Sequence, residues 1–146
     1  MFDQLKVVGK LKIELFSADG VLKDTRIQDN LIVTQGKYGI ADQLLAATTI
    51  PAPTHMGVGS SATAPAVGDV SVTALGTRVA FDTKTRSNNI VTMVATFAAG
   101  NGTGAIVEAG IFNAITAATM YSRIVFAAIN KGASDTLQLT WTYTIG

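Results

Sequence analysis

The sequence predicts an all-β, mainly antiparallel protein, a β-sandwich or jelly roll carrying one short helix. Three observations lead there. Apolar residues recur with a period of two through most of the chain, as in strands that bury one face. Clusters of Gly, Asn and Asp interrupt these runs at short intervals, where tight strand connections need them. Apolar residues at three-and-four spacing occur once, over residues 36–47.

Lys10-Leu11-Lys12-Ile13-Glu14-Leu15 alternates cleanly and puts Leu11, Ile13 and Leu15 on one face. Ser17-Ala18-Asp19-Gly20 follows as a tight turn, with Asp-Gly supplying the positive φ of a hairpin. Val21 to Ile27 is the return strand, and after a break at Gln28-Asp29 it continues through Asn30 to Thr34. Gly36 to Ala47 is the helix, with Tyr38, Ala41, Leu44 and Leu45 on its apolar stripe. Ile50-Pro51-Ala52-Pro53 ends it, because proline continues neither a helix nor a ladder.

A short strand around Met56-Gly57-Val58 leads into a small-residue loop, Gly59 to Asp69, which could serve as a flexible arm. Arg78 to Thr85 reads as one strand, Asn88-Asn89 as a turn, and Ile90 to Phe97 as a strand with Val91, Met93, Ala95 and Phe97 on one face. Gly100 to Gly104 is a loop. Ala105 to Phe112 and Met120 to Ile129 are strands separated by Asn113 to Thr119, and Asn130 to Asp135 turns the chain again. In the last strand Leu137, Leu139, Trp141, Tyr143 and Ile145 face one way and a row of Thr and Gln faces the other, where branched Thr suits a pleated surface. This gives about eight strands in a single domain over residues 1–146.

The 146 residues suffice to bury roughly 70% of the unfolded chain's surface. With 11 basic and 10 acidic residues the formal net charge is +1, which provides neither the basic face that binds nucleic acid nor a polybasic membrane anchor. The absence of cysteine excludes disulfides, thiol nucleophiles and iron–sulfur clusters. The first residues lack the pattern of a secretory signal, and no run approaches the ~18 apolar residues of a spanning helix, so synthesis in a cytoplasm is expected. Charge is unevenly spread: residues 87–146 carry only Glu108, Arg123, Lys131 and Asp135. So uncharged a stretch is expected to bury surface against other proteins, making the chain an assembly subunit that self-associates. The loops Gly100-Asn101-Gly102-Thr103-Gly104 and Asn113 to Thr119, with Thr116 and Ala117, are the candidate subunit interfaces. Their small residues permit close approach and their lack of charge lowers the cost of desolvation.

Few motifs carry chemistry. Gly57-Val58-Gly59-Ser60-Ser61-Ala62 matches a dinucleotide-binding pattern in letters, but Pro65 and Gly68 deny the helix that would open behind it. The sole histidine, His55, lacks a nucleophile elbow and further metal ligands, and caps or packs a turn beside Pro53. Asp19, Asp24 and Asp29 miss the spacing of a calcium loop, and the Asn101-Gly102-Thr103 sequon reads as a turn. No catalytic residue, cofactor or metal is therefore expected. Glu108 stands out inside the apolar run 105–112, where a buried carboxylate needs a partner; Arg78 and Arg123, each in an apolar strand, are the candidates for a structural ion pair.

In order along the chain, the Gly9–Gly20 hairpin, Asn30-Leu31-Ile32-Val33-Thr34, His55-Met56-Gly57-Val58-Gly59, Leu75-Gly76-Thr77-Arg78-Val79, Glu108-Ala109-Gly110-Ile111-Phe112-Asn113, Met120-Tyr121-Ser122-Arg123 and Lys131-Gly132 resemble small virion proteins of tailed bacteriophages. Part of this pattern is similar to the N-terminal attachment modules of phage tail fibres. The resemblance implies a β-rich, non-catalytic virion part whose partners are other virion proteins, either the major capsid protein or tail proteins. The leading expectation is a capsid decoration or cement protein; the alternative is a collar, baseplate or fibre-attachment subunit of the tail. Because the chain ends at Gly146 directly after its last strand, a complete receptor-binding fibre is not expected. A small hydrolase using His55 and a carboxylate is the remaining, third reading.

Overall fold

In the computed structural model, which describes residues 5–146, two five-stranded antiparallel sheets pack face to face as a sandwich with one short helix. The first sheet runs β2(Leu22–Asp29), β1(Val7–Phe16), β10(Thr136–Ile145), β7(Ile90–Phe97), β6(Thr83–Ser87). The second runs β3(Leu31–Ile32), β9(Met120–Lys131), β8(Gly104–Phe112), β4(His55–Gly59), β5(Val79–Ala80), and the helix α1 spans Thr34–Asp42.

The first sheet's inner face follows directly from the period of two. Leu11 pairs with Trp141 and Trp141 with Met93; Ile13, Leu139 and Ala95 form the next row, and Leu15, Leu137 and Phe97 the third. All nine are buried and meet Met56, Val58, Ala109, Ile111, Ile124 and Phe126 of the second sheet in one core. The strand order also accounts for the charge gap. β10 and β7 lie inside the first sheet, β9 and β8 inside the second, and all four come from residues 87–146. That segment is charge-poor because it supplies the sandwich interior. Most of the large apolar side chains left exposed, among them Leu5, Leu22, Ile27, Tyr38 and Leu44, lie in the charged first half instead.

Two expected strands prove to be two elements each. The run after the hairpin breaks at Asn30 rather than at Gln28-Asp29: β2 stays in the first sheet, while β3 crosses to pair with β9. The Asn30 N–H is held by the Gly9 carbonyl at the crossing. Arg78 to Thr85 likewise divides, β5 pairing with β4 and β6 with β7. An alternating pattern shows where a face is buried but not which sheet buries it, so a strand that changes sheets reads as continuous.

The helix is the larger correction. It ends at Asp42, and the stripe of Tyr38, Ala41, Leu44 and Leu45 faces solvent, with Leu44 90% exposed. The buried residues are Gly36, Gly39 and Asp42. The glycines let α1 lie directly on Tyr121 of β9, and a Cβ on Gly36 would run into the Tyr121 backbone. Gly36→Ala is therefore expected to destabilise the protein by about 1–3 kcal/mol through overpacking, despite the ~1 kcal/mol that alanine gains over glycine within a helix. A denaturant titration showing equal or greater stability would mean that α1 is not pressed against β9.

Asp42 stops the helix by organising the chain beyond it. Its carboxylate accepts from the Thr49 and Ile50 N–H groups at 2.7 and 2.8 Å and from the Thr49 hydroxyl at 2.7 Å. The Ile50 N–H, then the Thr49 hydroxyl, hold its pKa below the ordinary carboxylate value. A depressed pKa contributes stability that is complete above the unfolded-state value of about 3.9 and is lost as the pH falls toward the folded-state value. The melting temperature of Asp42→Asn should accordingly lie below wild type by a steady margin from pH 6 to about pH 4, and approach it only as the pH falls further, from 4 toward the folded-state value. A margin that stays constant below pH 4 as well would assign the effect to something other than ionisation.

Candidate functional site

The outer face of the second sheet is covered by α1 and by the irregular segment between β4 and β5, and Glu108 and Arg123 sit beneath that segment. Both are outward-facing side chains on central strands, and Gly59, opposite Glu108 in β4, leaves space for its carboxylate. Arg123 Nε donates to Glu108 Oε2 at 2.9 Å, with the two side chains 4% and 0% exposed. Arg123 Nη1 donates to Asp69 at 2.9 Å, and its Nη2 reaches the Ser61 carbonyl at 3.4 Å. The other Glu108 oxygen accepts the Ser61 and Thr73 N–H groups at 3.0 and 2.6 Å.

These contacts form a clasp on the 60–73 segment. Asp69 also accepts the Ala66 N–H, Ser60 N–H bonds to the Thr73 carbonyl, and Thr34 N–H to that of Val67. The expected flexible arm, Gly59 to Asp69, is thus pinned at both ends and stitched to the start of α1. Beneath it Val33, Val72, Phe112 and Met120 form a second small core. Ser61, Thr63, Ser71 and Thr73 line a polar cavity of about 210 Å³ around the ion pair.

Arg78 is not part of this pair, which corrects its place among the candidate partners of Glu108. Its guanidinium lies over the Phe112 ring, 3.7 Å from the centroid, and reaches toward the Ala114 and Ile115 carbonyls. Gly57, whose absent Cβ would meet Phe112 and Arg78 at 3.1 and 3.2 Å, makes room for that stack. Gly57 and Gly59 therefore serve close packing within β4, and no helix follows them.

The remaining sites divide between the fold and its surface. His55 opens β4, with Nδ1 2.7 Å from the Thr54 hydroxyl. In the β7–β8 loop Asn101 brackets Thr77, accepting its N–H at 2.9 Å and donating to its carbonyl at 3.1 Å, and Gly102 is buried against Val58 with a φ of 68°. Gly100 and Thr103 are exposed and Gly104 half-buried. In the β8–β9 loop Thr116 and Ala117 are exposed, while Asn113 ties its base to the Thr119 N–H and the Pro51 carbonyl.

Besides Asp42, sequence reasoning passed over four buried polar side chains. Asp135 accepts Lys23 at 2.9 Å and the Gly132 N–H at 2.8 Å; the Lys23 contact, then that N–H, lower its pKa. Lys131 is 2% exposed and donates to the Ala98 carbonyl, and burial lowers its pKa. Ser122 and Tyr143 hydrogen-bond across the core, and burial raises the Tyr143 pKa. The isolated Lys131 in an otherwise apolar strand was the one available signal. Among the described residues no group of three or more His, Asp or Glu is placed to hold a metal, and no helix is long and apolar enough to cross a membrane.

Fold and site together define a β-sandwich whose outer charges clasp a covering loop. A scan against protein-family models matches none, and searches of curated proteins and of solved structures return no match.

Proposed function

We propose that the chain is a non-enzymatic structural subunit of a tailed-phage virion, a decoration or cement protein that associates with copies of itself and with the capsid shell. The observation that carries this reading is the apolar surface around α1, where Leu5, Tyr38 and Leu44 stand in water on an otherwise well-packed sandwich. Leu5 and Leu44 line one groove, and exposed apolar groups gathered in this way favour an interaction surface. The clasp supports the same reading, because the charges of Glu108, Arg123 and Asp69 are spent on holding the covering segment to the sheet. The ordered sequence resemblance to small virion proteins supplies the identity of the assembly.

The test is copy number in purified particles of the phage that encodes the chain. Icosahedral decoration requires on the order of hundreds of copies, and a tail component about a dozen. Hundreds of copies, lost when Leu44 is replaced by Asp, is the expected result. A dozen copies at the tail would transfer the protein to the collar or baseplate, and absence from particles would overturn the virion reading.

A further inference from the structure

The two edges of the first sheet are finished differently. On β2 the core-face positions are Arg26 and Gln28, in register with Ile13 and Leu11. They donate to the Ala127 and Val125 carbonyls of β9 at 3.0 and 2.7 Å and so bridge the two sheets. On β6 the core-face positions are Lys84 and Arg86, in register with Met93 and Val91. Lys84 donates to the Pro53 carbonyl, and Arg86 folds back onto the carbonyl of Asn88 in its own turn. Here the sandwich opens between β6 and α1 into a groove of about 780 Å³, within the ~300–1,000 Å³ of clefts that enclose a ligand. Its walls are apolar, Leu5 and Leu44 form its lip, and Lys37 of α1 adds a third cation opposite Lys84 and Arg86. No carboxylate lies among the described residues that line it. Inward charges do protect a sheet edge from unwanted pairing, but that role accounts neither for Lys37 on the helix nor for the exposed apolar lip.

A complementary surface lies at the other end of β1. Val7, at the start of the strand, lines the groove; its far end runs into the hairpin tip, where Val21 is 62% and Leu22 47% exposed beside Asp19. Asp24 and Asp135 nearby are paired with Arg26 and Lys23, whereas Asp19 forms no ion pair among the described residues. Ten strand residues at ~3.3 Å each separate tip and groove by about 30 Å, so the tip cannot enter its own groove.

We infer that a second copy of this chain fills the groove: the hairpin tip of one subunit docks head-to-tail into the next, Val21 and Leu22 on the apolar walls and Asp19 among Lys37, Lys84 and Arg86. A contact between two different patches is heterologous, and repetition closes it into a ring or extends it as a filament. The inference shares the exposed Leu5 and Leu44 with the virion reading and specifies its self-association, but its test reads association of the isolated chain, so it can fail while incorporation into particles stands.

Mass measurement by light scattering on the full-length chain tests it. Wild type should self-associate, as a dimer where two copies exchange tips reciprocally and as a larger ring or filament otherwise. Val21→Asp/Leu22→Asp, which spoils the tip, and Lys84→Glu/Arg86→Glu, which spoils the groove, should each be monomers with unchanged circular dichroism. Mixed together, the two variants retain one intact tip and one intact groove, so they should form a heterodimer and nothing larger. A monomeric wild type, oligomers that survive both double substitutions, or a mixture that stays monomeric would each overturn the inference. So would a wild type that associates only after residues 1–4 are removed, which would give the groove to the chain's own N-terminus.

Discussion

Arg123→Ala is expected to lower stability by about 3–5 kcal/mol, because it strands the Glu108 carboxylate in a site with no exposure to water. Coulomb attraction alone does not set that figure. Arg123 also holds Asp69 and the Ser61 carbonyl, so its loss frees the 60–73 segment and uncovers Val72, Phe112 and Met120. Glu108→Ala should cost a similar amount by another route, leaving the Ser61 and Thr73 N–H groups without their acceptor. In a double-mutant cycle the two changes should couple strongly, and amide exchange at Ser61 and Thr73 should accelerate in both variants. Arg78→Ala serves as the comparison: a half-buried cation over an aromatic ring contributes about 0.5–2 kcal/mol. Equal losses for Arg78 and Arg123, or no coupling between Glu108 and Arg123, would refute the clasp.

Much of the fold was legible because period two is a local signal. Leu11, Ile13 and Leu15, the 90–97 strand and the final strand each declare a face within six to ten residues, and the rows they form across the sheet follow. Glu108 was legible for the complementary reason: a carboxylate in an apolar strand must be paired, and Arg78 and Arg123 stood out as its candidates. The choice between Arg78 and Arg123 was not, since it depends on which strand lies next to β8. Arg123 sits beside Gly110 on β9, whereas Arg78 precedes β5, the far edge of the sheet.

The misread features are those where tertiary contact overrides a local pattern. The helix stripe of Leu44 and Leu45 looked like a core face, but the contact that positions α1 runs through Gly36 and Gly39, residues that carry no hydrophobic signal. The cations of the groove were invisible for a related reason. Lys84 and Arg86 alternate like any solvated edge strand, and their place on the core face emerges only from pairing with Met93 and Val91. Lack of charge in residues 87–146 was a true signal whose meaning depended on strand order: central strands need no partner subunit to hide them.

Trp141 tests that interior directly. It occupies the middle of β10 between Leu11 and Met93 and is fully buried, so Trp141→Ala should cost about 3–5 kcal/mol, the range for emptying a large aromatic site. Its neighbours Leu11 and Met93 belong to two different strands and cannot close over the space without breaking their register with β10. Trp141→Phe should cost clearly less. It leaves a smaller cavity, and it removes an indole N–H that finds no acceptor among the described residues, so part of the lost packing is offset by a relieved desolvation cost. Denaturant titration of both variants separates these contributions. An alanine variant as stable as wild type would place Trp141 at the surface and invert the face assignment of the whole first sheet. A phenylalanine variant as damaged as alanine would show that the indole N–H is satisfied and contributes to holding the two sheets together.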